Sequence, residues 1–201
     1  MQFPDLPAVA PRWLLGAALL VLLAWPATGG TAVRLELEDL VGQCDQALEG
    51  RVERVRVLES APKRIETELT LRVARRFWGE GPAELVVRVP GGVLPDGRGL
   101  VLTGMPRFAE GEELILFLSS ESRRGLRLPV GLAQGRLCVE RRPDGSRSLV
   151  REAQDLELVD PQNGRRTTAP ARARLDYAQS IARIQAAAEA RRRRPAAGGA
   201  K

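Results

Sequence analysis

Four carboxylates carry the spacing best suited to chemistry: Glu66 with Glu68, and Glu110 with Glu112, each pair at the i, i+2 interval that puts both side chains on one face of a β-strand. Two acids so held could divide general-acid and general-base work in a hydrolase. For the first pair, alternation with Ile65, Thr67 and Leu69 already gives an ordinary solvated strand face. The chain contains no histidine. Zinc-protease motifs, Ser-His-Asp and Cys-His nucleophile systems and histidine metal sites are thereby excluded, because each needs an imidazole as ligand or base. Lys63 has no partnered serine motif around it. Asp96-Gly97 and Asp144-Gly145 lack the alternating acidic ligands of a calcium loop and read as turns. The expectation is a non-catalytic binding or accessory protein without metal or cofactor, with a carboxylate-dependent hydrolase, or a structural envelope component associated through its basic C-terminal helix, as the alternatives.

Cys44 and Cys138 take their meaning from the compartment, which the first thirty residues indicate. Arg12 precedes a thirteen-residue apolar run, 13–25, which ends at Pro26 and is followed by small residues at Ala27 and Gly29. That is the pattern of a secretory signal peptide, too short for the roughly 20 residues that span a bilayer. Cleavage before Gly30 is expected, with an uncleaved N-terminal anchor as the rival. In an oxidising compartment the natural state of Cys44 and Cys138 is a disulfide, and closing a loop of about 90 residues stabilises a fold by roughly 4 kcal/mol. Two separate buried thiols are the alternative, since both cysteines sit among apolar neighbours.

The elements that must position these groups are mostly strands. Leu37, Leu40, Val41 and Cys44 recur at helical spacing and predict a short lead-in helix. Period-two alternation then runs from Gln46 to Glu59 and slips phase between Val52 and Val55, which predicts a bulge near Glu53 and Arg54. Further strands are expected over 65–73, 84–89, 113–118, 126–130, 136–141 and 148–150, with Pro143-Asp144-Gly145 as a hairpin turn. Short strands with Gly and Pro turns predict a mainly β domain, a small antiparallel barrel or sandwich, over residues 30–160. The Gly- and Pro-rich stretch 90–107 is expected to be irregular. Loops on a rigid scaffold carry recognition most often, so Asp96, Arg98 and Arg107 are the candidate binding residues.

Residues 161–170 read as a linker, and 171–194 as an amphipathic helix with the narrow stripe Leu175, Ala178, Ile181, Ile184 and Ala188, before a tail at 195–201. The net charge of +6 belongs to this C-terminal part: residues 30–170 hold 22 basic and 22 acidic side chains, whereas 171–201 holds eight basic side chains against Asp176 and Glu189. A neutral main domain gives no electrostatic footprint for nucleic acid, and no nucleic-acid partner is expected. Arg191, Arg192, Arg193 and Arg194 could meet anionic lipid headgroups, but the helix lacks the large aromatics of membrane-surface helices, so a solvated basic end is preferred. The expected partner is an extracytoplasmic protein.

The order of Leu48-Glu49-Gly50-Arg51-Val52, an alternating strand ending in Phe77-Trp78-Gly79, then 87–92 (VRVPGG), Pro106-Arg107-Phe108, 111–118 (GEELILFL) and 130–135 (VGLAQG) resembles a group of exported bacterial proteins without assigned function. It is similar, more distantly, to the netrin-like and metalloprotease-inhibitor OB-fold domains. The resemblance covers about residues 36–140 and implies an OB-like barrel, here with a short N-terminal helix and a C-terminal one. In the inhibitor relatives a mature N-terminal cysteine reaches the protease metal. The first cysteine of this chain, Cys44, lies well inside the mature sequence, so inhibition by that route is not implied.

Overall fold

The computed structural model describes residues 30–152, 156–168, 170 and 172–193; the expected signal peptide 1–29, Arg194 and the tail 195–201 lie outside them. Strand β1 (Gly30–Val33) leads into helix α1 (Leu37–Gln43), whose start is fixed by the Glu36 amide donating to Asp39 Oδ2 at 2.9 Å. Two long strands follow, β2 (Gln46–Ala61) and β3 (Arg64–Trp78), then β4 (Glu84–Pro90). A small hairpin, β5 (Gly92–Val93) and β6 (Gly99–Leu100), precedes β7 (Glu113–Leu118). A 3-10 turn (Leu132–Gly135) enters β8 (Arg136–Arg141) and β9 (Arg147–Arg151). Last come β10 (Leu156–Val159), β11 (Arg166–Thr168), β12 (Ala173–Asp176) and helix α2 (Tyr177–Arg193).

Seven of these strands form one antiparallel sheet in the order β12-β9-β8-β7-β2-β3-β4. Period-two alternation gives that sheet two apolar faces. Ala47, Phe77, Ile115, Phe117, Leu137 and Leu149 pack beneath Leu37, Leu40 and Val41 of α1 and Ile181, Ile184 and Ala188 of α2. On the other face Leu48, Val52, Leu69, Leu71, Val87, Leu114 and Leu116 close on one another, and Met105 and Phe108 fold over them. Most of these side chains have no exposed area, and at roughly 1.5–3 kcal/mol for each fully buried aliphatic side chain the two faces dominate the folding free energy. The bulge lies where the phase slip predicts it: Val52 pairs with Leu71 and Arg54 with Thr70, leaving Glu53 as the extra residue.

The sheet is mainly β and antiparallel as expected, but among the described residues no closed barrel forms. The two ends of the sheet, β12 and β4, do not pair with each other. Residues 126–130 form a strap rather than a strand: the Arg127 amide donates to Arg88 O at 2.9 Å on β4, and the Val130 amide to Phe117 O at 2.8 Å on β7. Pro129 lacks the donor that a full ladder would need. Residues 166–168, inside the stretch whose composition predicts a linker, pair with β10 as strand β11. The helical pattern begins six residues later than the sequence suggests, because 173–176 pair with β9 as an edge strand and Leu175 belongs to it. No helix among the described residues is long and apolar enough to cross a membrane.

The disulfide expectation is corrected. Cys44 and Cys138 are both free. Cys44 is buried between the sheet and the helices, while Leu137 and Val139 turn toward that same core, so Cys138 between them points to the opposite face. The sheet itself separates the two sulfurs. Burial pushes the Cys44 thiol up to about 11 and raises Cys138 as well, against the lowering influence of Arg191 and Arg136 respectively. An ordinary thiol is about one-quarter ionised at pH 8, whereas a value of about 11 leaves about one in a thousand as thiolate. Native Cys44 should therefore alkylate at least about 100-fold more slowly than in denaturant, and reductant should leave the intact mass unchanged. A mass gain of two hydrogens on reduction would contradict this arrangement.

Candidate functional site

The glycine pair after β4 determines how the 90–107 segment leaves the sheet. Gly91 and Gly92 have φ of +96° and +137°, and a Cβ on Gly92 would come within 2.7 Å of Val57 Cγ1 and Thr67 Oγ1. Thr67 Oγ1 donates to Gly91 O at 2.6 Å, so the backbone is seated directly on the β2–β3 hairpin. From that root β5 and β6 run beside β3 with a tight turn between them, closed by the Leu94 amide donating to Arg98 O at 2.7 Å. Arg98 donates to Asp96 Oδ2 and to Glu59 Oε2, both at 2.8 Å, fastening the turn to the end of β2. Hydrogen bonding to Arg98 holds the Asp96 and Glu59 carboxyls below their ordinary range.

Asp96 and Arg98 are thus spent on each other and on Glu59, and Arg107 stands apart, exposed and without an ion pair among the described residues. What the strands of the hairpin and the two residues after it present is apolar. Val93, Leu100, Val101 and Leu102 are four of the seven large hydrophobic side chains exposed among the described residues, and Val101 is 76% exposed. Their exposure was not legible from composition, because Val93, Leu100, Val101 and Leu102 read equally well as core.

The four spaced carboxylates do not share a site. Glu66 is buried and accepts from Ser60 Oγ at 2.6 Å, while Glu68 turns to Arg88 at 2.9 Å. Glu110 accepts from the Val55 amide at 2.9 Å, and Glu112 receives both oxygens' bonds from the buried Arg136 guanidinium at 2.8 and 2.9 Å. No group of three or more His, Cys, Asp or Glu able to hold a metal occurs among the described residues.

A second feature gathers residues the sequence reading did not single out. A cavity of about 310 Å³ is lined by Glu49, Arg51, Arg72, Arg75, Arg141 and Arg147, with Glu113 and the β2–β3 backbone completing it. It lies on the helix-covered face of the sheet, beyond the first turn of α2. Tyr177 marks the boundary, donating its hydroxyl to Glu49 Oε1 at 2.6 Å. Burial, and then that bond to a carboxylate, raise the Tyr177 phenol above its ordinary range, so it remains a donor. Arg147 stacks on the Tyr177 ring at 3.8 Å from its centroid.

Strand register produces this cluster. Arg51 lies directly opposite Arg72 in the β2–β3 ladder, and Arg141 directly opposite Arg147 in the β8–β9 ladder. Like charges facing each other across a ladder are destabilising, on the order of 0.2–1 kcal/mol per pair. Only knowledge of the pairing could have revealed them, since the four arginines are scattered over nearly a hundred positions of an arginine-rich chain.

At the far end of α2 the basic residues are committed. Arg191 donates to Val41 O at 2.7 Å and Cys44 O at 2.6 Å and lies over the Trp78 ring at 4.2 Å, and Arg192 donates to Phe77 O at 2.9 Å. Arg193 lies 3.6 Å from Glu189 on an exposed turn, and Arg194 is outside the described residues. Compared with protein-family models and with curated proteins, the chain matches none.

Proposed function

We propose that this chain is an exported, non-catalytic binding module that recognises an extracytoplasmic protein through the β5–β6 hairpin. One observation carries the reading: the segment expected to bear recognition exposes Val93 and Leu100 on the strands of the hairpin and Val101 and Leu102 directly after β6, while its turn carries the Asp96–Arg98–Glu59 ion pairs. Contiguous exposed apolar side chains with a charged rim are a common signature of protein contact surfaces. Export is read from Arg12 and the apolar run 13–25. The curl of β7, β2, β3 and β4 around one apolar core supports an OB-like reading of this half of the sheet, with the strap 126–130 standing at the seam.

The test is site-specific photo-crosslinking in the native host, with the photoreactive residue at Val101 and a control at Ser146 in the β8–β9 turn. A discrete adduct from position 101 and none from 146 is the expected result. In a Val101→Asp, Leu102→Asp chain carrying the photoreactive residue at Leu100 the adduct should fall by about tenfold with the melting temperature unchanged. Identical patterns from positions 101 and 146 would refute the reading.

A further inference from the structure

The arginine-lined cavity is independent of the hairpin, and its internal bonding leaves a charge surplus that the fold does not use. Five lining arginines face two lining carboxylates, Glu49 and Glu113, a surplus of three positive charges; Glu53, which pairs with Arg72 from outside the cavity at 2.5 Å, reduces it to two. Arg141 is occupied by Glu113 at 2.8 and 3.1 Å. Arg51, Arg75 and Arg147 are not occupied in that way. Arg75 and Arg147 stand 3.7 and 3.8 Å from Glu49, within ion-pair range but too far for hydrogen bonds, while Tyr177 donates to Glu49 Oε1 at 2.6 Å. Arg51 makes no ion pair or side-chain hydrogen bond among the described residues. Three arginines with no hydrogen-bonded carboxylate therefore line one cavity, and one of them, Arg147, is held in orientation by stacking on an aromatic ring.

The two directly opposed arginine pairs are a local violation of strand pairing, and such violations are expected where function requires them. We propose that this cavity binds a small ligand bearing at least two oxyanion groups, phosphate or carboxylate, held by Arg51, Arg75 and Arg147 and oriented by the planar forks of those side chains. A surplus of two charges matches a dianion, and about 310 Å³ is at the lower end of small-molecule sites, enough for a compact polyanion. Arginine identity alone argues nothing in a chain this rich in it. Convergence on one cavity, the unspent donors and the opposed pairs set these arginines apart from the rest.

Calorimetric titration of the purified chain with pyrophosphate and with citrate, in chloride buffer, tests the site. Saturable binding of one or both at sub-millimolar Kd is expected, and a tenfold preference between them assigns the phosphate or the carboxylate source. Arg51→Gln should weaken binding at least tenfold while leaving the ligand-free melting temperature equal or higher, since it relieves an opposed pair; a merely structural arginine would lower it. Tyr177→Phe releases Glu49 to take Arg75 and Arg147, and affinity should fall although no ligand contact is deleted. Replacing Val101 and Leu102 by aspartate should leave the titration unchanged, which separates this site from the hairpin. No saturation by either probe at about 10 mM, binding unaltered by Arg51→Gln, or saturation only by a short DNA duplex would each overturn the proposal.

Discussion

Replacing Arg191 by alanine should lower the unfolding free energy by about 2–4 kcal/mol, read as a shift of the urea midpoint at constant slope. Helix α1 is seven residues long, and like any helix it ends with carbonyls that have no partner within it. At the buried end one guanidinium meets one of them, Val41 O, together with Cys44 O just past the helix, and lies over the Trp78 ring. Alanine would leave Cys44 O without this donor, Val41 O with only the weak bond from the Cys44 thiol at 3.4 Å, and a half-buried indole uncovered, and an unmade bond to a buried acceptor costs about 1–3 kcal/mol. Lysine at 191 keeps the charge but has neither the planar fork nor the stacking surface, so Arg191→Lys should recover about half of the loss. Arg193→Ala supplies the contrast. Its partner Glu189 is 63% exposed, and a surface pair of that kind contributes less than about 0.5 kcal/mol. Equal effects at 191 and 193 would mean that the basic end of α2 is solvated throughout.

That outcome also bears on the membrane reading of the four consecutive arginines. Two of them, Arg191 and Arg192, donate to backbone carbonyls of the core. A headgroup could recruit them only by uncapping α1 and baring Phe77 O.

What the sequence made legible was the long runs of one unbroken period. Alternation over 65–73 and 113–118 gave β3 and β7 within a few residues, and the slip between Val52 and Val55 located the bulge at Glu53. Helical spacing found α1 within two residues of its bounds. Signals that depend on pairing were hidden. The sheet face on which a cysteine falls follows from register, so apolar neighbours around Cys44 and Cys138 could not reveal that a sheet stands between them. Likewise Arg51 and Arg72, or Arg141 and Arg147, look like ordinary polar strand positions until the ladders put them opposite each other. Leu175 fits a helical stripe and a strand alternation equally well, and pairing with Leu149 decided between them. Asp96 and Arg98 were expected as ligand contacts; two residues apart at a turn, their nearest partners are each other.

Gln134 is a further residue that no sequence pattern exposes, and it holds β1 to the domain. It has no exposed area; its Oε1 accepts from the Leu35 amide at 2.9 Å and its Nε2 donates to Val33 O at 2.8 Å. Both bonds reach about a hundred residues back along the chain, to the last residue of β1 and to Leu35 just beyond it. Gln134→Leu preserves volume and removes both, leaving a part-buried donor and a part-buried acceptor without this partner, for an expected loss of about 1–2 kcal/mol and fast amide exchange at Leu35. Gln134→Glu should be worse near neutral pH. It keeps the acceptor for Leu35 but turns a carboxylate oxygen toward Val33 O, and an unpaired buried charge costs about 3–5 kcal/mol. Because only the ionised form suffers, burial raises the folded pKa of the introduced carboxyl above its unfolded value of about 4.3. The penalty is then absent below that value and grows as pH rises toward the folded pKa, so this variant should approach Gln134→Leu, or exceed it in stability, at about pH 4. If the two variants differ by a constant amount between pH 4 and pH 7, no buried carboxylate is being created at this position, and the clamp on β1 must lie elsewhere.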